Sequence, residues 1–337
     1  MTAVSGPAGQ LTQRRPNLGR PLLMCVANQK GGVGKTTIAV NAGAALAEKG
    51  HRVLIVDLDP QANATTGLGI DHRAQEQSSY DLLVEALPLE SAVLETSMPN
   101  LFCVPGSVDL AGAELELVSV AEREYKLATA LGPQPNYDVV IIDCPPSLGL
   151  LTVNALTAAR DLLAPIQCEY YALEGLGQLV RTAERVRAGL NPNLRLSGLV
   201  LTMYDARTRL SSQVSDEIRS HFGDLAYRTV VPRSVRLSEA PSFGEPVITL
   251  DKSSRGAIAF RLLAAEMEER FGLNKQKKGE TEESRHPGPG GRGYGAVTEE
   301  PKGLEKVWPQ SQPWTDSVEG RTVSLEEDVM ASERTRD

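Results

Sequence analysis

The chain has 337 residues, with 35 Lys and Arg against 43 Asp and Glu, for a formal charge of −8. That balance excludes a histone-like binder held by net positive charge, and the length allows one large domain with tails. Hydrophobic residues make up 41% and aromatics only 4%, which suits an aliphatic-cored α/β protein on a parallel sheet better than an aromatic-rich β-sandwich.

In chain order, residues 1–20 hold Arg14, Arg15 and Arg20 among Gly and Pro, with no acid. They read as a flexible basic arm rather than an organellar transit peptide, because no amphipathic period runs through them. Short aliphatic runs then alternate with helical patterns. Leu22–Asn28, Val53–Asp57, Leu101–Val104, Val139–Asp143, Leu162–Ile166, Leu196–Met203 and Arg228–Val231 are predicted strands, buried on both faces. Thr36–Lys49, Val108–Leu131, Leu173–Leu190, Ser211–Phe222 and Ser254–Phe271 are the predicted helices between them. This alternation predicts right-handed βαβ units with ligands at the carboxyl ends of the strands, and residues 21–274 as one domain. Residues 275–337 hold the run His286–Gly291 and too few aliphatics for a core, and read as a disordered tail. Trp308 and Trp314 there are either exposed rings or a short docking motif.

No stretch approaches the ~18 apolar residues of a membrane span, and the first residues lack a signal-peptide core, so a cytoplasmic location is expected. Cys25, Cys103, Cys144 and Cys168 form no C-x-x-C pair and read as buried reduced thiols.

The strongest signal is Lys30-Gly31-Gly32-Val33-Gly34-Lys35-Thr36-Thr37, between the first strand and the first helix. Glycines let backbone N–H groups converge on an anion, and the helix N-terminus adds partial positive charge. Lys35 is placed for the β and γ phosphates, the Thr36 hydroxyl for Mg²⁺, and Thr37 for the α phosphate. The generic pattern wants glycine at position 29, where this chain has Gln29, and it has a second lysine at position 30. Two ammonium groups in one small loop repel unless each has its own anion, so Lys30 is expected to serve a phosphate bound elsewhere, most simply on a facing subunit.

This loop resembles the deviant Walker A motif of the ParA/MinD superfamily of P-loop NTPases. Val53–Asn63, with Asp57 and Asp59, is similar to the switch I segment in its ParA/Soj form. Asp138–Ser147, with Asp143, is similar to the Walker B and switch II segment, and Pro232–Ser242 to a segment of chromosomal ParA/Soj proteins. The resemblance implies a Mg²⁺-dependent ATPase with ATP as its nucleotide. Lys30 then contacts the partner's nucleotide in an ATP-sandwich homodimer, Asp59 orients the attacking water, and Asp57 supports the Mg²⁺ shell or Lys35. Asp143 holds a water of the Mg²⁺ shell, and Met203, Pro232 and Arg233 line the adenine site. Arg207 and Arg236 match DNA-contacting arginines, which implies sequence-independent binding of double-stranded DNA and nucleoid association. A ParB-type centromere-binding protein is the implied stimulating partner, with the N-terminal arm as a possible contact.

Three rivals share the loop. A MinD-like regulator needs a terminal basic amphipathic helix, where this chain has a mixed-charge tail. An iron-protein reductase needs two cluster cysteines per subunit, for which only Cys103 and Cys144 could serve. A particle-positioning ATPase would differ only in cargo.

Overall fold

The computed structural model describes residues 21–133, 136–169 and 172–273. The expected arm, the tail and both tryptophans lie outside these residues. Seven strands form one sheet: β1 (Leu22–Val26), β2 (Val53–Asp57), β3 (Leu94–Glu95), β4 (Leu101–Val104), β5 (Val139–Asp143), β6 (Asp161–Gln167) and β7 (Arg195–Thr202). Their order is β3-β4-β2-β5-β1-β6-β7, parallel throughout except for β3 against β4. The longer helices are α1 (Lys35–Glu48), α2 (Leu150–Ala158), α3 (Ala172–Gly189), α4 (Arg209–Phe222) and α5 (Arg255–Phe271). This is the doubly wound P-loop architecture that the aliphatic runs predict.

Strand periodicity divides the core in two. Val139 and Ile141 of β5 point into a cluster with Ile38, Ile55 and Phe260, under α1 and α5. Val140 and Ile142 point into the opposite cluster with Leu54, Leu151 and Leu179, under α2 and α3. Successive side chains alternate faces, so a strand covered on both sides must be apolar at every position, as β5 is up to its terminal aspartate. Helix α1 lies close against the sheet at Gly43, where an added Cβ would stand 3.1 Å from Ile55 Cδ1. Because β2, β5, β1 and β6 are parallel neighbours, the loops after them share one edge.

Two expectations need correction, and one helix was not expected. Arg228–Val231 is not a strand. Its flanks make isolated bridges, Leu199 to Ala226 and Tyr204 to Pro232, and the Val231 N–H donates to the Leu201 carbonyl at 2.8 Å, but the backbone N–H groups of Arg228 and Thr229 donate to the Glu266 carboxylate at 2.8 and 3.0 Å. A side chain takes the donors a ladder would use. The predicted helix Val108–Leu131 breaks into Leu110–Glu116, two 3-10 turns and Lys126–Leu131. Glu122 adopts φ 54°, and Asn154 accepts from the Leu127 N–H at 3.1 Å and donates to the Arg123 carbonyl at 2.9 Å. Helix α2 has no sequence counterpart, because its run Leu-Leu-Thr-Val-Asn-Ala-Leu-Thr-Ala lacks a polar face to mark the helical period. Among the described residues, no helix is long and apolar enough to cross a membrane.

Candidate functional site

The segment from Gln29 to Gly34 turns sharply between β1 and α1, and Gly32 and Gly34 supply φ of 74° and 90°, where a Cβ would be strained. Neighbouring strands brace it. Buried Asn28 donates to the Pro165 carbonyl of β6 at 2.7 Å and accepts the Lys30 N–H at 3.0 Å. Thr202 at the end of β7 donates to the Val33 carbonyl at 2.8 Å. These bonds brace the loop from two neighbouring strands, and no side chain caps the N-terminus of α1.

Beside it opens a cavity of about 370 Å³. Gly32, Gly34, Lys35, Thr36 and Thr37 line it from the loop and α1. Asp59 and Gln61 enter from the segment after β2, Pro146 from the loop after β5, and Met203 from the end of β7. Leu237, Ala240, Pro241 and Glu245 close the remaining wall. The predicted adenine residues Pro232 and Arg233 are not on this lining. Pro232 is bridged to Tyr204, the Arg233 N–H is spent on the Tyr204 carbonyl at 3.0 Å, and from this region the wall takes Leu237, Ala240, Pro241 and Glu245 instead.

The two lysines diverge. Lys35 is buried against the cavity, with its ammonium donating to the Lys30 carbonyl at 3.2 Å. Burial lowers its pKa, and the nearby Asp143, Cys144 and Asp59 oppose that shift. Lys30 is half exposed, and its ammonium pairs with Glu169, after β6, at 3.0 Å. It is not part of the cavity lining.

The carboxylates hold three different positions. Asp59 is on the cavity wall, its Oδ1 accepting the Gln61 N–H at 3.0 Å. Asp143 ends β5 fully buried, and no donor reaches either oxygen with hydrogen-bond geometry. Burial, then Asp57, pushes its pKa well up, while the nearby Thr36 hydroxyl and Lys35 ammonium favour its ionised form. An orphaned buried carboxylate beside a threonine hydroxyl fits a hard divalent cation that keeps most of its shell as water and phosphate oxygen. Among the described residues no cluster of three or more His, Cys, Asp or Glu could cage a metal, as such a cation requires none.

Asp57, expected to support the Mg²⁺ shell or Lys35, has both carboxylate oxygens engaged and acts as a strut. Its carboxylate accepts the Thr65 N–H at 2.9 Å, the Thr65 hydroxyl at 2.7 Å and the Asp59 N–H at 3.1 Å. Both oxygens are taken, and burial raises its pKa to about 6. Thr65 and Gly106 complete this strut, the Gly106 N–H donating to Thr65 Oγ1 at 2.9 Å. Neither was legible as a site residue, since their contacts cross between the segments that follow β2 and β4.

Arg207 is 89% exposed and forked onto Asp205 through its Nε and Nη2 at 2.9 and 2.7 Å. Arg236 is 56% exposed and pairs with Glu239 at 3.2 Å and Asp251 at 3.5 Å. It sits one residue before Leu237 of the cavity wall. All four cysteines are buried, so Cys103 and Cys144 are not presented at a surface where two subunits could share a cluster.

A family model described as an AAA domain matches residues 22–196. The chromosome partitioning protein ParA of Caulobacter vibrioides is 52% identical over 251 residues, 73% of this chain and 93% of that protein. The sporulation initiation inhibitor protein Soj of Bacillus subtilis is 53% identical over 246 residues, 73% of this chain and 97% of Soj. Among solved structures, a protein of Mycobacterium smegmatis described as cobyrinic acid a,c-diamide synthase, with bound ADP and magnesium, is 41% identical. The match covers 73% of this chain and 93% of that one, with a TM-score of 0.64. Sequence identity is higher to the partitioning proteins, across nearly their whole length, and the phosphate loop, Asp59 and the buried Asp143 follow or end neighbouring parallel strands at one edge of the sheet. The chain belongs to the ParA/Soj family of chromosome-partitioning ATPases.

Proposed function

We propose that this chain binds ATP with Mg²⁺, pairs with a second copy across the two nucleotides, and binds double-stranded DNA without sequence preference in that paired state. Hydrolysis, stimulated by a ParB-type centromere-binding protein, then releases the DNA, and the protein works on the nucleoid in the cytoplasm. The observation that carries this reading is the divergence of the two lysines: Lys35 serves the chain's own cavity, and the Lys30 ammonium stands outside it at the surface.

Phosphoryl transfer to water needs positioning and charge neutralisation more than covalent chemistry. The α1 N-terminus and the glycine backbone hold the phosphates, Lys35 neutralises their charge, and Asp59 orients the attacking water. Thr36 and Asp143 are the residues that would hold Mg²⁺, which when bound neutralises the β and γ oxygens. Asp57 positions Asp59 through the backbone N–H it accepts. Lys30 supplies its charge to the nucleotide of the facing copy.

Within residues 21–274 acids still outnumber bases, so a local patch must bind the DNA. Arg207 and Arg236 are the proposed contacts, and both are exposed. Pairing doubles the number of phosphates neutralised, and each contributes about −0.9 to the salt slope, so nucleotide-dependent pairing can switch DNA affinity.

The test is sedimentation and DNA retention of the Asp59→Ala protein with ATP. It should sediment as a dimer and retain duplex DNA, and adding Lys30→Ala should abolish both. An Asp59→Ala protein that stays monomeric with saturating ATP would refute the reading.

A further inference from the structure

The segment Val108–Val118 carries two apolar stripes rather than one. Leu110, Ala113 and Leu117 are buried in the core. Val108, Ala111, Leu115 and Val118 follow the spacing i, i+3, i+7, i+10 on the outer face, where Val108 is 70%, Leu115 78% and Val118 59% exposed. Large apolar side chains scattered singly need no explanation, but three of them exposed along one short segment, on the turn before a helix, on the helix and on the 3-10 turn after it, do.

Two features say what covers it. The segment from Pro105 to Val120 contains Asp109, Glu114 and Glu116 and no Lys or Arg, and the Arg123 guanidinium donates to the Val118 carbonyl at one end, so the rim carries more acid than base. An anionic lipid surface or a second acidic ridge would be repelled, and a basic apolar polypeptide attracted. The segment also touches both carboxylate loops of the site. Gly106 at its base donates to Thr65, which donates to Asp57, and Glu114 accepts the Leu151 N–H of α2 at 3.3 Å, just after the loop that follows Asp143. A partner seated on the ridge would press on both loops at once.

We infer that the Val108–Val118 ridge is the docking surface for a basic, apolar segment of the stimulating partner, and that the contact of Gly106, just before it, with Thr65 and that of Glu114 with Leu151 carry the stimulus to the Asp59 and Asp143 loops. This rests on the partner-stimulated hydrolysis proposed above. The experiment titrates the purified ParB-type protein of the same genome against DNA-stimulated ATP turnover of the full chain and of a Val108→Ser, Leu115→Ser, Val118→Ser variant. The half-saturating partner concentration should rise at least about tenfold, since each buried apolar side chain removed from an interface weakens binding on that scale. Basal turnover and ATP-dependent sedimentation should stay parental. Asp109→Asn with Glu116→Gln should weaken the same titration at low salt and matter less at high salt, and Glu116→Asp should restore it.

Unchanged half-saturation in the apolar variant, with basal turnover intact, would overturn the assignment. So would loss of the ATP-dependent dimer with stimulation intact, which would make the ridge an interface between copies. A parental chain that the partner does not accelerate at all would overturn the partitioning reading and the ridge with it.

Discussion

Gly106→Ala tests whether the Asp57–Thr65–Gly106 strut sets the position of the water-orienting carboxylate. A Cβ built on Gly106 would stand 3.0 Å from Asp57 Cγ, 3.0 Å from the Asp59 carbonyl oxygen and 3.2 Å from Asp57 Oδ1. Ordinary carbon contacts begin several tenths of an ångström farther out. Asp57 cannot swing aside, because three hydrogen bonds hold its carboxylate, so the backbone from Asp57 to Asp59 must shift by about 0.5 Å to restore ordinary carbon spacing. Overpacking of this kind costs about 1–3 kcal/mol of stability, which for a domain of this size lowers the melting temperature by roughly 2–12 °C. Misplacing a catalytic group by about 1 Å costs on the order of a hundredfold, so half of that predicts about a tenfold loss of kcat. ADP affinity, set by the loop and Lys35, should remain within about twofold of the parent. The assays are steady-state phosphate release, calorimetric ADP binding and thermal melting. Gly112→Ala is the control, because its Cβ would meet only the flexible Glu116 carboxylate at 3.2 Å, and alanine is favoured in a helix. A Gly106→Ala protein with a lowered melting temperature and parental kcat would show that the strut does not position Asp59.

Glu169→Gln removes the counter-ion of Lys30; exposed pairs are worth about 0.2–1 kcal/mol, and two are broken per dimer, so ATP-dependent dimerisation should tighten about 2- to 30-fold at low salt. Equal tightening of ADP binding to the monomer would trace the gain to general electrostatics instead. Gly198→Ala places a methyl into the ring of Tyr227, which is fully buried, and should cost about 1–3 kcal/mol in thermal or urea unfolding; parental stability would mean that the ring has room to move. Arg236→Glu should dimerise with ATP yet lose DNA retention, and Arg207→Ala should make the salt slope shallower by about 0.9 for each phosphate that is no longer neutralised. Parental retention by Arg236→Glu at low salt would place the DNA patch elsewhere.

The strands and the phosphate loop were legible because their signals are local. Val139–Ile142 is apolar at every position, and the glycines of the loop stand at fixed spacing between a strand and a helix. The short helix Ser79–Val84 carries a local signal of another kind, the pair Ser78 and Asp81 of a capping box. Helix α2 has none, since a helix buried all round has no polar face. Arg228–Val231 misled for the opposite reason: its composition suits a strand, but Glu266, distant in sequence, takes two of its N–H groups.

The sequence alone determined the sheet class, the family and the phosphate-loop motif, and it offered the carboxylates as candidates, since each depends on spacing within a few residues. The tertiary structure decided what those carboxylates do. Asp57 and Asp143 end neighbouring strands, yet one is fully hydrogen-bonded to Thr65 and Asp59 and the other has no donor. It also put Leu237, Ala240, Pro241 and Glu245, and not Pro232 and Arg233, on the cavity wall, and turned Lys30 away from Lys35 to Glu169. Such distinctions rest on which donors from remote segments arrive at a buried oxygen or ammonium, and only the packing of the whole sheet sets that.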